Sequence, residues 1–325
     1  MIPASYLSAS PQRHTAGLPC HLRSAEIASI IRLMQEVTQN MAERNIIIVG
    51  VGLIGGSIAA AIRQRFPDCN VMGIGRNRER LESAQKAGLL TSWSDEITAA
   101  RIPTGSLAVV CLPVNQIADT VSELLNAGCE LVTDAGSVKA SICTALKDQS
   151  DLRYVGAHPI AGSEQSGFEH ADANLFTGRL CVVTTSAPQQ AIDRNVQRVI
   201  AFWKSLDADV CLMSPDEHDR VLALTSHLPH ILASVAAGCV DPGLLNFTGT
   251  GYRDTTRIAA GSGSLWATIL LGNAKHCLDA VDAAEDILHQ FRTALTTGDP
   301  KQLESLWESA AEKRRLLNRD KTDGV

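Results

Sequence analysis

The sequence predicts an α/β chain in two parts. The first, residues 45–213, is an N-terminal doubly wound parallel sheet, and the second, residues 214–325, is all-helical. Three observations predict this. A β-branched run, NIIIV at 45–49, ends in a glycine turn, GVGLIGG at 50–56. Short apolar runs then alternate with segments of helical period as far as residue 213, as expected of strands joined by crossover helices. From Ser214 onward only the helical period remains.

The elements follow in chain order. Ile46, Ile47, Ile48 and Val49 read as a strand buried on both faces. Gly50, Gly52 and Gly55 stand at GxGxxG spacing, and residues 53–62 continue as a helix. Strand, glycine turn and helix in this order form the Rossmann-type dinucleotide-binding fingerprint. Gly50 allows the tight turn, Gly52 lets a pyrophosphate approach the backbone, and Gly55 lets the helix lie close to the strand. The free amides of the helix start, at Leu53 and Ile54, would face the diphosphate. The competing reading is a tight turn with no ligand.

The second strand, Asn70–Ile74, should end on an acid if the cofactor is NAD, since a carboxylate there binds the ribose 2′-hydroxyl. Gly75 and Arg76 stand at that point instead. A small residue followed by a guanidinium suits a 2′-phosphate, so NADP is the preferred cofactor and NAD the alternative. Arg78 and Arg80 add positive charge nearby, although the same stretch also reads as a helix start capped by Asn77.

Residues 106–114 read as a buried strand stopped by Pro113, whose end would lie beside the nicotinamide. A helix over 115–127, a strand over 131–134 and a turn at 135–139 follow. Ser137 would stand at the rim of the ligand crevice, or serve only to cap a helix over 138–146. A strand then runs into His158 and Pro159, which ends it. A histidine at this sheet edge is placed for proton transfer, or else is a structural hydrogen bonder. A polar loop over 161–164, a strand over 180–185, a helix over 188–206 and an edge strand over 209–213 complete the first part.

Ser214, Pro215 and Glu217 form a capping box that opens the helical part. Its first helix runs through His218 to His230 and should kink at Pro229, which lacks an amide. His227 and His230 share a helical face, but no third ligand is in register and no metal is expected. A Gly/Thr-rich loop over 246–259 carries Arg253 and Arg257, either able to clamp a carboxylate or to form a surface ion pair. Leu278, Ile287, Leu288, Leu295 and Trp307 recur on two long amphipathic helices, a pattern that predicts a homodimer through the C-terminal helices.

Composition bounds the partners. Length of 325 residues suggests about two domains, and a net charge of -6 argues against nucleic acid. No run of about 18 apolar residues occurs, so no membrane span is expected. The nine cysteines are scattered without pairing motifs and read as reduced thiols in a cytoplasmic protein. Residues 1–44 read as an extension outside the fold, with Met41 as an alternative start.

Several motifs together resemble one family, the prephenate/arogenate dehydrogenases of tyrosine biosynthesis. They are VGVGLIGGS at 49–57, CLPV at 111–114, DAGSVK at 134–139, GAHPIAGSE at 156–164, Leu175-Phe176, SHLPH at 226–230, and TRIA at 256–259 with Trp266. The resemblance spans residues 45 to about 295 in family order. It implies oxidative decarboxylation of prephenate or arogenate, with His158 accepting the proton of the 4-hydroxyl and Ser137 orienting substrate and nicotinamide. Arg257 is implied as the carboxylate clamp, His230 as a second substrate-binding histidine, and Ser163 and Glu164 as loop residues lining the site. His218 and His227 are expected to be structural. Two other readings compete. A β-hydroxyacid dehydrogenase would put a catalytic lysine near Lys275, and a non-enzymatic NADP sensor would have no use for His158 and Arg257.

Overall fold

A computed structural model describes residues 43–147, 153–162, 165 and 167–319. Six strands form one parallel sheet: β1 Asn45–Val49, β2 Asn70–Ile74, β3 Ser92–Ser94, β4 Leu107–Val110, β5 Leu131–Asp134 and β6 Tyr154–Val155. Their order is β3-β2-β1-β4-β5-β6. The chain thus enters at the centre, winds out to one edge and returns to build the other, as in a Rossmann sheet. Four of the five crossovers are carried by α1 Leu53–Arg65, α2 Arg78–Lys86, α3 Val114–Asn126 and α4 Ala140–Ala145, and β3 joins β4 without a helix.

Alternation along β1 explains why it reads as unbroken apolar sequence. Ile46 and Ile48 enter one core with Ile58 and Ile62 of α1 and with Trp203. Ile47 and Val49 enter a second core with Ile117, Val121 and Leu124 of α3. Each fully buried aliphatic side chain contributes about 2 kcal/mol of transfer free energy, which anchors the sheet from both sides.

Beyond β6 the chain changes sheet. Gly156 separates β6 from β7 Ala157–Pro159, which with β8 Leu180–Thr184 and β9 Asp209–Met213 forms a second, three-stranded sheet. β7 and β8 pair antiparallel, and β8 and β9 pair parallel. A Cβ on Gly156 would meet the Thr184 hydroxyl at 2.7 Å, so only glycine lets the chain pass from one sheet to the other here. The later strands expected to extend the main sheet therefore lie in this smaller one.

Other boundaries also move. The helix expected over 188–206 is broken. Pro188–Ile192 is a 3-10 turn, and α5 Arg194–Ser205 starts afresh after Asp193, whose carboxylate caps it. The folded body includes Glu43, a buried residue paired with Arg198 at 2.7 Å, and the rest of the extension expected over 1–44, up to residue 42, lies outside the described residues.

The helical part contains α6 Pro215–Leu222, α7 Leu228–Gly238, α8 Thr250–Thr256, α9 Gly263–Gly272, α10 Ala274–Thr297 and α11 Pro300–Arg319. The disturbance expected at Pro229 appears as a π-turn over Ala223–His227, where Leu228 N–H donates to the Ala223 carbonyl. Most of the expected loop over 246–259 is helical, in α8 and the 3-10 turn Arg257–Ala260. The run Pro215–Gly238 is long and apolar enough by composition to cross a bilayer. Its His218 and Asp219 are buried against the sheet domain, whereas Leu224, Leu232 and Val235 further along it are exposed. Ile269 of α9 joins the second core, so the two parts share apolar packing.

Candidate active site

The nucleotide end of the site is built by backbone. Gly50 has φ +93, and a Cβ on it would stand 2.5 Å from the Cys111 carbonyl oxygen. A Cβ on Gly55 would run into the carbonyl of Gly50 itself. Gly52, by contrast, faces open space and begins α1 with no side-chain cap and no acid in the first turn. The first amides of α1, at Leu53, Ile54 and Gly55, are left to meet an anion. These residues fit a dinucleotide diphosphate. Arg76 is exposed just past β2, beside Gly75. Arg78 is less available than its sequence position suggests, because its Nε donates to Asp95 at 2.6 Å. Pro113 caps α3 where β4 ends, next to β1.

The catalytic end is organised by one carboxylate. Asp134, fully buried at the end of β5, accepts from Gly136 N at 2.9 Å, Tyr154 Oη at 2.9 Å and Ala157 N at 3.1 Å, and pairs with the buried Lys139 ammonium. It therefore ties the turn that carries Ser137 to the strand that carries His158. Ser137 is half-buried on that turn.

His158 turns towards the helical part. Its Nδ1 lies 2.8 Å from Nε2 of His218, and Nδ1 of His218 lies 2.7 Å from Oδ1 of Asp219. Asp219 also accepts from Lys139 N at 2.8 Å and Ala140 N at 2.9 Å, which docks α6 onto the start of α4. Asn273 donates to the Asp219 carbonyl at 2.7 Å and lies 3.2 Å from Nδ1 of His227. Burial pushes the His158 pKa well below the ordinary imidazole value, helped by His218, Lys139 and His227 nearby. The imidazole is thus neutral at pH 7 and can accept a proton. Burial also brings His227 down to about 4.

His230, on α7, stacks on Trp266 with ring centroids 3.7 Å apart, and its Nδ1 donates to the Ser226 carbonyl at 2.9 Å. His227 meets the same indole edge-on at 6.2 Å. Arg257 is exposed on the turn Arg257–Ala260, which packs against α7. Ser163 and Glu164 lie outside the described residues.

The structure thus places Ser137 and the glycine turn at one edge of the parallel sheet, ties the strand of His158 to that edge through Asp134, and links His158 to α6. Sequence reasoning left His218 as structural and did not single out Asp219, Asp134 or Lys139. One signal could have found His218. It stands four residues before Leu222 and so shares the buried face of its helix.

A glycine-turn nucleotide cradle, with a half-buried neutral imidazole tied to the same sheet edge and a helical domain against it, defines a nicotinamide-dependent dehydrogenase. Comparison with known proteins gives the family. Residues 58–212 match the model described as "Prephenate dehydrogenase, nucleotide-binding domain", and residues 214–309 match "Prephenate dehydrogenase, dimerization domain". The chain belongs to the prephenate dehydrogenase family. A Bacillus subtilis prephenate dehydrogenase is 32% identical over 287 residues, covering 85% of this chain and 76% of that protein. A Zymomonas mobilis cyclohexadienyl dehydrogenase is 31% identical, covering 85% of this chain and 97% of that protein. Among solved structures, Aquifex aeolicus prephenate dehydrogenase in complex with hydroxyphenyl propionate and NAD+ has a TM-score of 0.77 at 28% identity, covering 86% of this chain and all of that one.

Proposed function

We propose that the chain catalyses the NAD(P)-linked oxidative decarboxylation of prephenate to 4-hydroxyphenylpyruvate, with His158 as proton acceptor. The observation that carries the proposal is the half-buried imidazole of His158, its pKa held well below the ordinary value, on a strand tied through Asp134 to the sheet edge onto which the Gly50–Gly55 cradle opens. The bound nicotinamide supplies the hydride acceptor. His158 takes the proton of the 4-hydroxyl as the carbon bearing it is oxidised. Ser137, on the turn braced by Asp134, orients the hydroxyl. Arg257 and His230 hold substrate carboxylate. Loss of CO₂ leaves an aromatic ring, so the protein's task is chiefly positioning and keeping His158 unprotonated. Gly75 and Arg76 favour the 2′-phosphate of NADP over NAD. Arogenate is the second reading of the substrate, supported by the match to a cyclohexadienyl dehydrogenase. Two copies pair through the helical domain.

The test crosses prephenate and arogenate with NADP and NAD, followed by absorbance of the reduced nicotinamide. Turnover of prephenate with NADP favoured is expected. No reduction in any of the four combinations would end the proposal. His158→Asn should lower kcat by ~10² or more, with cofactor affinity kept. Turnover at the wild-type level would remove the role assigned to His158.

A further inference from the structure

Proton acceptance needs only one ring nitrogen of His158. The other nitrogen, Nδ1, lies 2.8 Å from Nε2 of His218, whose own Nδ1 lies 2.7 Å from the Asp219 carboxylate. The rings meet edge to face, with centroids 5.1 Å apart and planes 68° from parallel. His218 is fully buried and Asp219 nearly so.

Donors and acceptors can be assigned along this line. The Asp219 carboxylate only accepts, so it takes the proton on Nδ1 of His218. Its oxygens also receive the amides of Lys139 and Ala140, which leaves it no freedom to turn away. Burial lowers the pKa of His218, against the pull of the Asp219 hydrogen bond, so one proton is carried and Nε2 is a bare acceptor. A bare Nε2 at 2.8 Å requires the N–H of its partner, which places the proton of neutral His158 on Nδ1. Nε2 of His158 is then unprotonated.

We propose that His218 and Asp219 are positioning residues that hold His158 as the Nδ1–H tautomer, so that its Nε2 receives the substrate proton. The inference rests on the reading of His158 as the base. In the step, the substrate O–H bond breaks and an Nε2–H bond forms on His158. The O–H electron pair becomes the second bond of the new carbonyl, and the hydride on that carbon goes to the nicotinamide. The imidazolium so formed keeps Nδ1–H pointed at His218, whose Nδ1–H in turn faces Asp219. The positive charge is thus solvated by two aligned hydrogen bonds instead of water. The other titratable groups facing the pair are Lys139 on the Ser137 turn, Asp134 at the end of β5 and His227 on the π-turn.

The direct test is ¹⁵N NMR of the histidine-labelled full chain, which separates the two neutral tautomers of each ring. Wild-type His158 should show a protonated Nδ1 and a bare Nε2. A bare Nδ1 would overturn the proposal, and this measurement depends on no variant. His218→Leu removes the acceptor. A folded variant should lose at least about tenfold in kcat, with KM for substrate and cofactor changed by less than about twofold. His218→Gln, whose carbonyl can still accept, should recover part of that loss. Wild-type kcat in folded His218→Leu would overturn the proposal. The two readings fail separately. An active His158→Asn removes the base itself, whereas an inactive His158→Asn beside a fully active His218→Leu removes only the relay.

Discussion

Arg257 is exposed, whereas the imidazole it would serve is half-buried and desolvated, and this contrast sets what each can do. A solvated guanidinium binds a carboxylate equally in ground state and transition state, so its removal costs binding more than rate. Arg257→Ala should raise KM for prephenate roughly tenfold, the loss of one charge-assisted pair worth about 1.5 kcal/mol, with a smaller fall in kcat. An unchanged KM would take the carboxylate role from Arg257. His230 differs again. Stacked on Trp266 and bonded to the Ser226 carbonyl, it is held in one orientation.

At the scale of elements, the site depends on how the β5 turn is braced. Asp134 holds the turn at Gly136, the strand at Ala157, Tyr154 and the buried Lys139. Removing one partner of a buried ion pair leaves the other charge stranded in a dry interior. Lys139→Met should therefore cost about 3 to 5 kcal/mol, read as a lower urea midpoint, and should lower kcat by loosening Ser137 and His158 together. A midpoint at the wild-type value would show that the pair does not brace the turn. This brace is also where the sequence was only half legible. The strands β1 and β2 and the glycine turn were readable because parallel strands are apolar throughout and GxGxxG has local causes. β3 was not, since Ser92, Trp93 and Ser94 carry no apolar run and are held in place by β2. The switch at Gly156 looked like a continuous strand, because the reason for glycine there is Thr184, distant in sequence. His158 stood out through its neighbours along the chain. Its tie to His218 joins residues 60 apart, which no local pattern encodes.

At the scale of the molecule, protons and a second copy both bear on stability. Burial lowers the pKa of His158 and His218, and brings His227 down to about 4. Between that value and the ordinary imidazole pKa of about 6.5, the unfolded chain binds more protons than the folded one. The stabilisation is complete above about pH 6.5 and is lost as pH falls towards 4, so the melting temperature should drop across this window. A flat melting temperature there would show that these rings titrate normally in the folded chain. The second copy is argued from what the helical domain leaves uncovered. Leu288 and Leu295, seven residues apart on α10, share a face and are 58% and 68% exposed, and Trp307 on α11 is 70% exposed. Side chains of this size on neighbouring helices imply a partner surface, and residues 214–309 match a dimerization domain. The same α10 begins beside Asn273, which holds the Asp219 carbonyl, so covering its apolar face also steadies the helix that supports His218. Replacing Leu288 and Leu295 together by lysine would bury two unpaired charges in a paired interface. Light scattering at micromolar concentration should then report a monomer where the wild-type chain is a dimer, and kcat should fall although no residue touching substrate has changed. A dimer that survives both lysines would move the interface to another face of the helical domain.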